Sequence, residues 1–347
     1  MKIGVVGYGT GGQHFHTPFI AAAKGCTLAG IVARANKTIA KVRADWPDTP
    51  IFASLTDMIE AGVCDAVTIT TPPHTRRELV LEAINAGLHV IADKPFAPNY
   101  ADAMELGKAA NEAGVTLGVY QNRRFDADLQ TLLKVIADKR LGKVWRIHSR
   151  MEQDSPDTIE QGPTGGLLRD LGSHVVDQMV YLLGPVVTVD AQLDHHEMEN
   201  GLTDVGFTIT LRHENGAHSH LSASKMNYIE ARELRAYGEK GSYRSLTTDI
   251  QAQDIFAGKR PANDLSGWGY EPKANWGQLS TKAGKEIIPS QQGRYHDYYE
   301  AFEEAVRAGT PPPVTAEVGA RTLAILDAAL FSAKEGRAVR VEEIIGT

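Results

Sequence analysis

Cysteine is scarce: Cys26 and Cys64 are the only two in 347 residues. That excludes a disulfide scaffold and a cysteine-based zinc site. Long apolar runs are missing as well, so no segment reads as a membrane span. The opening Met1-Lys2-Ile3-Gly4-Val5-Val6-Gly7 breaks into glycine before an apolar leader can build, and no secretory signal is expected there. Neither sign of charge dominates. Lys and Arg number 36 against 43 Asp and Glu, a net −7 that argues against a general nucleic-acid partner. Repeats and low-complexity tracts are also absent. What is present is ordinary: 42% apolar and 23% charged residues, as in a globular protein. The length suggests about two domains. The expected molecule is cytoplasmic, with reduced thiols, and binds neither membrane nor nucleic acid.

Short apolar runs punctuate the first third: Lys2 to Val6, Thr27 to Ala33, Asp65 to Thr70, His89 to Ala92 and Val115 to Tyr120. Helical periodicity lies between them, and Gly87 suits the end of one such helix. Strands separated by helices imply βαβ units and a parallel sheet covered on both faces. Beyond about residue 120 the runs lengthen and alternate. Lys143 to Met151, Val186 to Leu193, Asp204 to Arg212, His218 to Lys225 and Glu230 to Tyr237 read as strands. Glu-Asn-Gly and Gly-Glu-Lys-Gly turns join some of them, which predicts antiparallel hairpins. Val205, Phe207, Ile209 and Leu211 fall on one face. The stretch 245–293 is poor in periodicity and reads as a long ordered excursion. Helical signals return from Tyr295 to Lys334, split by Pro311-Pro312-Pro313.

Gly7-Tyr8-Gly9-Thr10-Gly11-Gly12 fits G-x-G-x-x-G between a strand and a helix, the context a dinucleotide site requires. Gly7 would permit the tight turn, Gly9 the approach of a pyrophosphate, and Gly12 close helix–strand packing. A ligand-free glycine turn is the alternative. An NAD site would carry an acid at the end of the second strand. Here that strand ends Ala33-Arg34, and no carboxylate occurs before Asp45, whereas Lys2, Lys24, Arg34, Lys37, Lys41 and Arg43 do. A guanidinium matches a 2′-phosphate, so NADP is favoured and NAD remains possible. Arg34 as a plain surface charge is the competing view.

Asp93-Lys94-Pro95 closes a buried-looking strand, and proline keeps it extended. Lys94 therefore belongs at the carboxyl edge of the sheet, where such folds bind ligands. Asp170, His174 and Asp177 are spaced i, i+4 and i+7 and would share one face of a helix. A histidine can move a hydroxyl proton, and a neighbouring carboxylate can orient it. A helix-capping Asp beside a buried His is the structural alternative. The Asp/His pair also suits a metal, but no third ligand accompanies it, and no metal is expected. His218 and His220 alternate on a strand, and a surface face is favoured over a metal pair. For His14 and His16, packing at the helix start is favoured over cofactor contact. Trp268 and Trp276 lie in the excursion without a clear role.

Together these motifs resemble the glucose–fructose oxidoreductase/inositol dehydrogenase family (Gfo/Idh/MocA) over essentially the whole chain. The glycine loop, Asp93-Lys94-Pro95, Thr71-Pro72-Pro73 and the helix Asp170-Leu171-Gly172-Ser173-His174-Val175-Val176-Asp177 carry the resemblance. Tyr120-Gln121-Asn122-Arg123-Arg124-Phe125-Asp126 and Gly267-Trp268-Gly269-Tyr270-Glu271-Pro272 resemble a subgroup that includes NADP-dependent scyllo-inositol dehydrogenases. Two positions depart from the family: Asp93 replaces the usual Glu, and Arg76 stands where many relatives carry His.

The resemblance implies an α/β plus α+β fold. A dinucleotide-binding Rossmann domain spans 1–120. A substrate-binding and oligomerisation domain spans 121–347, with a predominantly antiparallel sheet and helices on one face. The C-terminal helix is expected to pack back on the first domain, and an open sheet face to be covered in a homodimer or homotetramer. Cofactor contacts are expected from Gly7, Gly9, Thr10, Gly11, Gly12, Arg34, Thr71, Pro72, Asp93, Lys94 and Gln121. Lys94, Asn122, Arg123, Asp170 and His174 are expected at the substrate, with Lys94, Asp170 and His174 catalytic. The implied reaction exchanges a hydride between nicotinamide and a secondary alcohol of a sugar or cyclitol such as an inositol. His174 acts as acid/base, with Lys94 as the alternative. A dihydrodiol or other non-sugar substrate, or a non-catalytic dinucleotide sensor, are the competing functions.

Overall fold

The short apolar runs of the first third form a six-stranded sheet. Its strands are β1 (Lys2–Val6), β2 (Thr27–Val32), β3 (Ile51–Phe52), β4 (Ala66–Ile69), β5 (His89–Asp93) and β6 (Leu117–Tyr120). The computed structural model describes residues 1–162, 165–246 and 249–346. The strand order is β3-β2-β1-β4-β5-β6, and every neighbouring pair is parallel. Ile3, Val5, Ala66, Val67, Val90 and Ile91 are fully buried, as a sheet covered on both faces demands. The order reverses at β1, between β2 and β4. The carboxyl ends of those strands leave the crevice where doubly wound folds bind ligands. Gly87 ends the helix Pro73–Asn85 in the left-handed region, at φ +77°. The two-residue β3 escaped the sequence because it is too short to show a period.

The chain divides into two compact units, and neither is continuous. The first takes Met1–Asn122, Gln251–Trp268 and Arg294–Ala320, and the rest forms the second. Two later segments thus complete the first unit, which a single cut near residue 120 does not anticipate. Their apolar faces explain why. Tyr295, Tyr298, Tyr299 and Phe302 on and before the helix His296–Ala308 are fully buried. Phe19 meets the rings of Tyr295 and Trp268 edge-on. Trp268 Nε1 donates to Gln251 Oε1 at 3.1 Å. The proline run separates this helix from Ala316–Glu335, as expected.

The second unit holds a nine-stranded sheet: β7 (Val144–Glu152), β8 (Val186–Met198), β9 (Gly201–His213), β10 (His218–Ser224), β11 (Ala231–Gly238), β12 (Gly241–Ser245), β13 (Gly277–Thr281), β14 (Gly284–Ile288) and β15 (Val339–Arg340). The order is β14-β13-β12-β11-β7-β10-β9-β8-β15, antiparallel except for the parallel pair β7·β10. One face is apolar: Ile147, Met151, Phe207, Ile209, Leu211, Leu221, Ala223, Leu234 and Ala236 are buried. The helix Ser173–Leu183 packs on this sheet with Val175, Val176 and Met179 buried. Alternate residues on the other face, among them Arg146, His148, Arg150, Thr210, His218 and His220, are half-buried or exposed. The excursion conceals β13, β14 and the helix Ile250–Phe256. Residues 247 and 248 of that stretch lie outside the described residues. β14 is exposed along most of its length, so no alternation marks it.

Candidate functional site

β1 delivers the chain into the glycine loop. Gly7 turns at φ +102°, a conformation side-chain-bearing residues rarely adopt. A Cβ on Gly12 would strike the Gly7 carbonyl oxygen, and one on Gly11 would strike Thr70 Oγ1. A Cβ on Gly9 would meet nothing within 4 Å, so its main chain is open to a ligand. Thr10 is exposed where the loop enters a wide π-helical turn, Gly11–His16, ahead of the helix Thr17–Ala22. π turns recur at functional sites. Asp45 pins the loop, and sequence reasoning missed it: Tyr8 Oη and Gln13 Nε2 each donate to Asp45 Oδ2 at 2.8 Å. Burial, with the Asp45 charge, pushes the Tyr8 phenol well up. Arg34 is exposed just beyond β2, and among the described residues no ion pair or side-chain hydrogen bond engages it.

At the ends of β4 and β5 the loop meets Asp93. Thr70 Oγ1 donates to Asp93 Oδ2 at 3.0 Å, and the Lys94 N–H donates to Oδ1 at 2.8 Å. His16 Nε2 lies 3.3 Å from Oδ2, and Arg76 Nη2 lies 3.8 Å from it. Burial raises the Asp93 pKa, but His16, Arg76 and Lys94 outweigh it and hold this carboxyl well below its usual range. His16 is fully buried, and its Nδ1 is 2.6 Å from Tyr299 Oη. Tyr299, His16 and Asp93 thus form one polar line that ends beside Lys94. Arg76 is equally structural. It donates to the carbonyls of Thr71 at 2.6 Å, Asp93 at 2.7 Å and Pro95 at 2.5 Å. It ties the Thr71-Pro72 turn to the half-buried Lys94, whose bond to Pro95 is cis. Thr75 Oγ1 donates to Thr71 Oγ1 at 2.9 Å.

Gln121 and Asn122 follow β6 and are buried. Gln121 Oε1 has no hydrogen-bond partner among the described residues. An orphaned buried oxygen, a main chain open at Gly9 and a loop that excludes Cβ atoms fit a dinucleotide at this edge.

In the second unit, a π-helical turn at Leu168–Gly172 precedes the helix Ser173–Leu183 and carries Asp170. His174 stands in the first turn of that helix, 6% exposed. Asp204 anchors the turn by accepting the Leu168 N–H at 2.6 Å, and a Cβ on Gly166 would collide with its carboxylate. Lys225 Nζ donates to Asp170 Oδ2 at 2.8 Å, a partner sequence spacing could not supply. Asp177, one turn after His174 in the same helix, is committed to an ion pair. Arg124 Nε and Nη2 grip its two oxygens at 2.7 Å each in the core. Arg123 Nη1 lies 2.8 Å from Asp249 and 3.2 Å from Asp126, so its guanidinium is engaged by two carboxylates. Burial, with Asp249 nearby, pushes the Asp126 carboxyl up. His218 and His220 lie on the half-exposed sheet face with His148, their rings 5.4 and 4.8 Å from neighbour to neighbour.

A parallel sheet in this strand order, with a glycine loop after its first strand, defines a dinucleotide-binding Rossmann domain. Residues 1–121 match the oxidoreductase family with an NAD-binding Rossmann fold, and residues 129–244 match the Gfo/Idh/MocA C-terminal domain. The chain is 30% identical to the scyllo-inositol 2-dehydrogenase (NADP(+)) IolW of Bacillus subtilis, over 99% of this chain and 96% of that one. It is 26% identical to the myo-inositol 2-dehydrogenase of Thermotoga maritima, over the full length of both. The solved structure of the oxidoreductase YvaA from Bacillus subtilis superposes with a TM-score of 0.88 at 30% identity, covering 98% of this chain and 99% of that one. The chain belongs to the Gfo/Idh/MocA family of oxidoreductases.

Proposed function

We propose that this protein exchanges a hydride between a nicotinamide cofactor, NADP in preference to NAD, and a secondary alcohol of a sugar or cyclitol such as an inositol. The Asp93–Lys94 corner carries the proposal: an ammonium at the carboxyl end of β5, beside the glycine loop, on a carboxylate locked by His16 and Thr70. The inositol relatives supply the substrate class.

The bound nicotinamide supplies hydride acceptance or donation at its C4. Gly7, Gly9, Thr10, Gly11 and Gly12 hold the pyrophosphate with main-chain N–H groups. Arg34 meets the ribose 2′-phosphate, and Asp93, Thr71, Pro72 and Gln121 line the remainder. Lys94 Nζ stabilises the alkoxide oxygen as it develops. A ring nitrogen of His174 takes the hydroxyl proton in oxidation and returns it in reduction. Asp170, neutralised by Lys225, holds the substrate hydroxyl or tunes His174. Asn122 and Arg123 complete the substrate contacts, Arg123 through its backbone or by exchanging a carboxylate partner.

NADPH formation measured across inositols, aldoses, ketoses and glycosides tests the substrate class. Turnover with at least one cyclitol or sugar is expected. Failure on every polyol with dinucleotide binding intact would favour a sensor, and turnover of a dihydrodiol alone would favour the non-sugar alternative. The half-exposed sheet face supports a homodimer or homotetramer, and light scattering on the purified protein distinguishes both from a monomer. Cys26 and Cys64 are unpaired, which suits a reducing, cytoplasmic setting. Among the described residues no helix is long and apolar enough to cross a membrane.

A further inference from the structure

The helix His296–Ala308 opens on a cluster the reaction does not use. His296 is 1% exposed, and among the described residues neither ring nitrogen has a hydrogen-bond partner. Buried polar atoms are paired in about nine cases of ten or more, so an imidazole with both nitrogens unmatched needs a reason. Its Nε2 points toward Asp297, 3.5 Å from Oδ1. Ligand atoms of His296, Asp297 and Glu300 all lie within 4.8 Å of one another. Ligands roughly 2.1 Å from a tetrahedral ion are about 3.4 Å apart, so the His–Asp spacing is already that of two ligands.

Both carboxylates accept hydrogen bonds from outside the cluster. Arg294 Nε donates to each oxygen of Asp297 at 2.8 Å, and the Lys24 N–H donates to Glu300 Oε1 at 2.9 Å. Outer hydrogen bonds of this kind fix ligating carboxylates in place.

We propose that His296, Asp297 and Glu300 bind one divalent cation, zinc being the best match to one imidazole and two carboxylates, with water completing the shell. The ion would clamp the first turn of this helix to the chain at Lys24. It would take no part in hydride transfer, so the proposal stands independently of the assigned reaction.

The test uses the full chain, stripped with chelator, loaded with zinc ion alone, desalted, and assayed for metal per chain. Wild type should retain about one equivalent, and Glu300→Gln less than about half, because an amide is a poor zinc ligand. Glu300→Gln keeps an acceptor for the Lys24 N–H, and an unchanged thermal transition in chelator would confirm its fold. Zinc should raise the Tm of wild type but not of this variant. His220→Ala, on the histidine face of the second unit, should retain its zinc. Less than about half an equivalent on wild type, more than that on Glu300→Gln, or loss in His220→Ala would each overturn the site.

Discussion

Arg34 makes the sharpest prediction at the scale of a single residue, because among the described residues nothing occupies its guanidinium. Arg34→Ala should lower kcat/KM for NADP by about 10–100-fold, the worth of a charge-assisted contact, and leave NAD nearly unchanged. A wild-type preference for NAD would defeat the assignment, and an unchanged ratio would remove Arg34 from it. Lys94→Ala should keep the fold and dinucleotide binding but lose turnover. Near-normal kcat at saturating alcohol would make this lysine a bystander. His174→Ala should cost about 10²–10⁴-fold in kcat/KM and flatten the rise of oxidation with pH. Should the variant keep both rate and pH limb, Lys94 or a water relay is the base. Asp170→Asn should also slow the reaction, and the double variant should lose less than the product of the two effects. The residues with a local signature were legible: Gly7, Lys94 and His174 stand in motifs a few residues long. His16, Asp45, Tyr299 and Lys225 were not, because each meets its partner only across the fold. Tyr299 and His16 are separated by 283 positions.

At the scale of elements, each candidate region begins on a widened helical turn, Gly11–His16 and Leu168–Gly172. The spacing i, i+4, i+7 presumes regular winding, and the turn before Ser173 breaks it. The irregular turn falls between Asp170 and His174, whereas His174 and Asp177 lie one turn apart in the regular helix Ser173–Leu183. The glycine loop is less tolerant than its motif suggests. Gly11 stands at a variable position of the motif, yet its Cβ would strike Thr70 Oγ1, the donor to Asp93. Gly11→Ala should therefore weaken dinucleotide binding while costing about 1–3 kcal/mol of stability, measured by calorimetry and denaturation. Binding as tight as wild type would show that Thr70 moves aside freely. Strands with one buried face were found within a few residues of their ends. β14 lacks an apolar face, so it stayed invisible inside the excursion.

For the whole molecule, buried charge sets how stability depends on pH. The Asp93 carboxyl titrates lower in the folded than in the unfolded chain. Its contribution is therefore present above the unfolded value of about 3.9 and is lost as pH falls through the folded value. Asp93→Asn should lower Tm near neutrality and make the fall below about pH 4 shallower than in wild type. Parallel acid limbs would show that Asp93 does not govern that range. Arg124→Ala leaves Asp177 charged and unpartnered in the core, and should cost about 3–5 kcal/mol in denaturant unfolding.

The line from Tyr299 through His16 to Asp93 also has a bearing on synthesis. The glycine loop leaves the ribosome long before Tyr299, which backs His16, and before Trp268 and Tyr295, which pack on Phe19. Contacts so distant in sequence form late and slowly. The segment that carries the glycine loop would then wait, unfinished and open to chaperones, until the helix His296–Ala308 arrives. A fragment ending at Asn122 should accordingly show no cooperative melting and no dinucleotide binding, although it contains every residue of the glycine motif.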